Sequence, residues 1–125
     1  MVLRLLLIAL GGAAGTLARY GTALTAARWS ARLAFPLGTL AVNLIGCFLA
    51  GLLAGMFVER VAVREDVRLA LLVGFLGGFT TFSAFGLETF ALGRDGRAGA
   101  ALVNVLASNL LGILLVWVGY RVGRG

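Results

Sequence analysis

The sequence contains no lysine, no histidine and one cysteine, and five acidic residues stand against eleven arginines in its 125 positions. A lone cysteine permits no disulfide within the chain and no thiolate metal cluster. Without histidine, clustered thiols or paired carboxylates, the parts for acid–base chemistry and for metal catalysis are missing, so an enzyme is not expected. No Gly-x4-Gly-Lys-Ser/Thr loop is present, which removes that route to nucleoside triphosphates. Charge itself is scarce: 13% of residues are charged, where soluble domains carry about 25%.

In place of charge the chain is 61% hydrophobic. A soluble globule of this length buries only roughly two thirds of its surface, too little to hide that much apolar area. The composition therefore points to an integral membrane protein, and it excludes a disordered chain. A net charge of +6 raises the question of nucleic acid. The arginines, however, flank apolar runs and form no basic face, so no nucleic-acid partner is expected.

Uncharged runs cover 33–58, 69–87 and 98–120, each close to or above the roughly 20 apolar residues of a membrane-crossing helix. A fourth run, 5–27, qualifies if Arg19 is tolerated inside it. The pattern predicts transmembrane helices near 3–27, 33–58, 68–92 and 98–120, helical rather than stranded because long apolar stretches replace alternation. Short connections leave one four-helix domain over 1–125. Arg4, the apolar run after it and the small residues at Gly11, Gly12 and Gly15 also resemble a signal peptide. The apolar pattern continues to Ala27, which favours a retained first span.

Four spans put Arg4, Arg60, Arg64, Arg68, Arg121 and Arg124 on one side and Arg28, Arg32, Arg94 and Arg97 on the other. Six against four is a weak inside-positive bias. It fits either a single orientation with both termini inside, or dual topology with copies inserted both ways and paired antiparallel. Leu10-Gly11-Gly12 returns as Leu76-Gly77-Gly78, and Asn43-Leu44-Ile45-Gly46 as Asn109-Leu110-Leu111-Gly112, at one shared offset. That echo points to a two-helix duplication, or to chance among common residues.

Polar residues inside spans are costly and tend to mark function. They are Arg19, Asn43, Glu88, Asn104, Asn109 and a set of hydroxyls. Most of the 19 glycines read as close helix packing, as in Gly51-x-x-x-Gly55. Gly74, Gly77 and Gly78 precede Thr80 and Thr81 in mid-span, where a helix break would free backbone groups that a membrane accepts only inside protein or around an ion. Phe75, Phe79, Phe82 and Phe85 recur at helical spacing, either as a core stripe or as ring edges, positive in the quadrupole, lining an anion path. Asn43 offers either an amide donor or an interhelical hydrogen bond. Arg19 suits a pore mouth, a helix cap or a snorkelling position. Glu88 is expected to pair with an arginine or a backbone amide.

Three segments carry a resemblance: Gly11-Gly12-Ala13-Ala14-Gly15-Thr16-Leu17-Ala18-Arg19-Tyr20, Gly38-Thr39-Leu40-Ala41-Val42-Asn43-Leu44-Ile45-Gly46-Cys47-Phe48, and Gly74-Phe75-Leu76-Gly77-Gly78-Phe79-Thr80-Thr81-Phe82-Ser83-Ala84-Phe85 with Glu88. In this order and across the whole chain they resemble the CrcB/Fluc family of fluoride channels. The resemblance implies an all-α membrane protein with a broken third helix, assembled as an antiparallel dual-topology homodimer in the plasma or inner membrane. It implies a passive path for fluoride past Asn43, Phe82 and Phe85, with Ser83, Thr39 and Ser108 as hydroxyl candidates. It implies a structural Na⁺ held by backbone carbonyls of Gly77 and Thr80 of both subunits, and vestibule or structural roles for Arg19 and Glu88. Ala84 departs from the Thr or Ser frequent there in the family and removes one hydroxyl. The rival reading, a proton-coupled exporter of the small multidrug type, wants an acid in the first span, where none exists.

Overall fold

The computed structural model describes residues 1–59 and 63–125. Four helices are long and apolar enough to cross a membrane: Val2–Leu33, Leu37–Val58, Glu65–Arg94 and Ala98–Arg124. We refer to them as the first to fourth spans. Arg60, counted above on one flank, lies outside the described residues.

The first helix runs past its expected end near 27 to Leu33. Nothing in Arg28-Trp29-Ser30-Ala31-Arg32 breaks a helix, and arginine and alanine favour one. Arg32 also sits in the last turn, where positive charge meets the negative end of the helix dipole. Charge ends the apolar run there, but not the helix. The stop comes at Ala34, which adopts a left-handed conformation with φ 47°. Its N–H bonds the Ala31 carbonyl at 3.3 Å and the Phe35 N–H bonds the Ser30 carbonyl at 3.1 Å, a Schellman turn followed by Pro36.

Two close seams hold the bundle. First and third spans meet through Gly11 and Gly15 on one side and Gly74 and Gly78 on the other. A Cβ on Gly74 would stand 2.6 Å from the Ile8 carbonyl oxygen, and one on Gly11 2.5 Å from that of Ala70. Second and fourth spans meet in the same manner, Gly51 and Gly55 facing Gly119 and Gly123. A Cβ on Gly119 would lie 2.9 Å from the Leu52 amide nitrogen. Such spacing lets backbones touch where lipid supplies no hydrophobic drive for helix association.

Contacts at both ends agree with a four-pass course. Arg4 pairs with Asp66 at 2.8 Å, joining the N-terminus to the start of the third span. At the opposite end the Arg97 guanidinium donates to the Ala34 carbonyl, joining the third connection to the first. The internal core is small, chiefly Val42, Leu76, Phe79 and Leu92. Leucines such as Leu10, Leu17 and Leu110 face outward, as lipid-facing helices require.

Two stretches wind wider than an α-helix, Ala70–Phe75 and Ala107–Leu111, with π-type turns. The backbone also leaves the helical region at Thr80 (φ −83°, ψ 159°) and Thr81 (φ −151°, ψ 114°), between a helical segment ending at Phe79 and another opening at Phe82.

Candidate functional site

The two extended residues rephase the aromatic stripe. Phe75 and Phe79 stack at 5.8 Å between centroids on the near side, and Phe79 is buried. Phe82 and Phe85 form a second pair at 5.6 Å, tilted by 44°. Phe82 is 83% exposed. The stripe therefore divides into a largely internal pair, as the core reading expects, and a pair whose Phe82 stands on an open face.

Asn43 ties the second span to this point. Its Oδ1 accepts the Thr81 N–H at 2.8 Å and its Nδ2 donates to the Thr81 carbonyl at 3.0 Å. The side chain thus pairs with the backbone as a neighbouring strand would. A carboxamide nitrogen has two hydrogens, so one donor remains after this pairing. Thr81 also caps the following helix, its hydroxyl accepting from the Ala84 N–H at 3.2 Å.

These bonds explain two backbone oxygens. In a continuous helix the Gly77 carbonyl would receive the Thr81 N–H and the Thr80 carbonyl the Ala84 N–H. The first donor goes to Asn43 and the second to the Thr81 hydroxyl. The Thr80 N–H and hydroxyl both go to the Leu76 carbonyl, at 2.9 Å and 2.8 Å. A Cβ on Gly77 would have nothing within 4 Å, so that face is open.

A groove of about 490 Å³ gathers Asn43, Gly77, Thr80, Phe82, Phe85 and Ser108 from three spans. Cys47 and Asn109 line it too. Ser108 and Asn109 sit within the wide-wound part of the fourth span, and the Ser108 hydroxyl oxygen is buried with no hydrogen-bond partner among the described residues. A second pocket of about 300 Å³ holds Arg19 and Thr39 with Thr16, Thr81 and Ala84. Thr81 lines both. Ser83 is exposed and lies 3.4 Å from the Thr81 hydroxyl.

Glu88 departs from its expected pairing. Its Oε1 accepts the Thr39 hydroxyl at 2.8 Å, rather than an arginine or a backbone amide. Its Oε2 is buried without a hydrogen bond among the described residues. The hydroxyl of Thr39, on the adjacent second span, meets this acid instead.

Two residues given no individual role by sequence carry much of this geometry. Thr81 holds the junction; its signal was the N-cap position, a threonine opening a helix after an interruption. Asn104, 1% exposed, donates to the Thr89 hydroxyl at 2.8 Å. Its pairing across spans has no local sequence signal.

A four-pass helical membrane protein with a largely apolar groove that holds a few polar side chains beside paired aromatic rings is the class these observations define. Residues 6–120 match the family model described as CrcB-like protein, Camphor Resistance (CrcB). A protein of Solibacter usitatus is 51% identical over 124 residues, covering 98% of this chain and 99% of its own. One from Magnetococcus marinus is 49% identical over 117 residues, with 94% of each chain covered. One from Methylobacillus flagellatus is 43% identical over 118 residues, covering 94% of this chain and 92% of its own. All three relatives bear the name fluoride-specific ion channel FluC. The chain belongs to the CrcB-like family and is a multi-pass membrane protein.

Proposed function

We propose that this protein is a passive fluoride-selective channel, a transporter rather than an enzyme, that lets F⁻ leave the cell across the plasma or inner membrane. The observation that carries the reading is the groove in which Asn43, Ser108, Phe82 and Phe85 converge. The names of the relatives support fluoride as the ion.

Fluoride is small and strongly hydrated, so a path must replace its water with donors. The second Asn43 amide hydrogen and the Ser108 hydroxyl, both without a partner among the described residues, and the positive ring edges of Phe82 and Phe85 are such donors. None carries a full charge, so each binds weakly enough to release the ion. Thr39 on the second span and Glu88 on the third lie further along, joined by a hydrogen bond, and Ser83 lies near the cap. Arg19, in the second pocket, attracts anions toward the mouth. Fluoride enters cells as uncharged HF from acid surroundings and dissociates inside. A negative-inside potential then drives the anion out with about 2.3 kcal/mol per 100 mV.

The assembly proposed is an antiparallel dual-topology homodimer. Its support is the near balance of arginines: among the described residues Arg4, Arg64, Arg68, Arg121 and Arg124 stand at one end and Arg28, Arg32, Arg94 and Arg97 at the other. The largely exposed Phe82 and open Gly77 leave a face for a second copy.

A structural Na⁺ belongs to the same reading. A hard cation takes oxygen ligands, and the Gly77 and Thr80 carbonyls, whose helical donors are engaged elsewhere, fit it. Bound there by both subunits, the ion supplies a fixed positive charge between the two copies.

The test is fluoride efflux from proteoliposomes followed with a fluoride electrode. Efflux should be electrogenic and need a K⁺ shunt, and chloride should leak far more slowly. Absent fluoride efflux, or chloride efflux at a similar rate, overturns the reading. In whole cells, a protease-sensitive C-terminal tag should be accessible from both membrane faces; access from one face alone removes dual topology.

A further inference from the structure

We propose that Asn104 is a positioning residue for the Phe82–Phe85 pair, acting through Thr89; the inference rests on the channel reading above. Asn104 is the buried polar side chain of the described residues, 1% exposed, on the fourth span. Its Nδ2 donates to the Thr89 hydroxyl at 2.8 Å. That hydroxyl donates in turn to the Phe85 carbonyl at 2.7 Å. A hydroxyl has one hydrogen, and Thr89 uses it on Phe85, so it meets Asn104 as an acceptor only. The two bonds run in one direction and polarise each other.

A threonine bonding back to its own helix is commonplace. A buried amide from another span directed at that threonine is not, because a carboxamide among apolar helices is costly unless its geometry is used. The helix from Phe82 to Arg94 packs chiefly on the stretch Ala98–Leu106, with only slight contact to the second span. No backbone-on-backbone glycine contact holds it, since Gly86 and Gly93 face open space. Its rotation about its own axis, and so the aim of the Phe85 ring, is set by side-chain bonds on its two flanks. Thr39 holds Glu88 on one flank, and Asn104 holds Thr89 on the other. Glu88 and Thr89 are adjacent, so the pair of bonds acts as a two-point stay one turn beyond Phe85.

Efflux measured over a range of internal fluoride concentrations separates half-saturation from maximal rate. Thr89→Val keeps the shape and removes the hydroxyl. The half-saturating fluoride concentration should rise roughly fivefold, the scale of one lost buried hydrogen bond, with monodisperse protein of wild-type yield. Thr89→Ser should restore the wild-type curve. Asn104→Leu should match Thr89→Val, and the double variant should be no worse than either, as members of one relay behave. A wild-type concentration dependence in Thr89→Val, failure of Thr89→Ser to restore it, or additive effects in the double variant would each overturn the proposal. Amide hydrogen exchange over 82–94 needs no ion and guards against variants that do not conduct. It should quicken in Thr89→Val and not in Thr89→Ser; unchanged protection in Thr89→Val removes the relay. A wild-type protein without fluoride efflux overturns the channel reading instead, and the exchange result still decides the relay.

Discussion

The third span holds two halves built on different principles. Residues 65–79 lie backbone against backbone on the first span, with Gly11, Gly15, Gly74 and Gly78 leaving no space for a side chain. Residues 82–94 have no such seam and are held by two side-chain hydrogen bonds from other spans, Thr39 to Glu88 and Asn104 to Thr89, beyond the two that Asn43 makes to Thr81. The half locked by packing presents a stacked, largely internal ring pair, and the half held by hydrogen bonds presents the open one. Steric packing is nearly all-or-none, because a touching backbone cannot yield. A hydrogen bond can be weakened, turned or shared. The contrast places rigidity on one side of Thr80–Thr81 and adjustable geometry on the other, the side on which the proposed ion path runs.

Gly15→Ala breaks the rigid half most severely. The new methyl would meet the Phe75 carbonyl and lie 2.9 Å from the Phe79 amide nitrogen, both backbone atoms. The expected cost is about 3 kcal/mol or more, seen as loss of the monodisperse peak in size-exclusion chromatography. Gly86→Ala, in open space, should fold normally and serves as the control.

Asn43→Leu tests the junction. It removes both bonds to Thr81 and leaves a carbonyl and an N–H unpaired. A loss of about 2–4 kcal/mol in stability should accompany loss of fluoride efflux. Wild-type thermal stability in this variant would show that the extended residues hold themselves.

On the adjustable half, Phe82→Ile and Phe85→Ile should cut fluoride efflux by about tenfold or more while leaving assembly intact, since Phe82 contributes little internal packing. Wild-type flux in both removes the aromatic path. The smallest effect is expected outside both halves. Ala34→Gly relieves a left-handed alanine and should raise stability by up to about 1 kcal/mol, with flux unchanged.

Much of this was legible in the sequence. Four apolar runs give four membrane-capable helices, and the glycine spacing in Gly51-x-x-x-Gly55 marks a surface that meets another helix. The end of the first helix was misplaced because charge, not helix propensity, ended the apolar run. The partner of Glu88 was missed because Thr39 is far away in sequence, and no charge pattern reports a neutral donor. The Phe75 to Phe85 spacing looks like one stripe until two extended residues turn it into two pairs.

Sequence alone determined the solvent of this protein, its number of passes and its family, because those follow from composition, run length and local motifs that survive any folding. The tertiary structure alone decided which polar groups are spent and which remain. Thr81 gives its N–H to Asn43, and so the Gly77 carbonyl loses its helical donor. The Ser108 hydroxyl ends buried with no partner among the described residues, in a groove built from three spans. Hydrogen-bond satisfaction is a property of contacts between distant segments, and those exist only once the helices have packed.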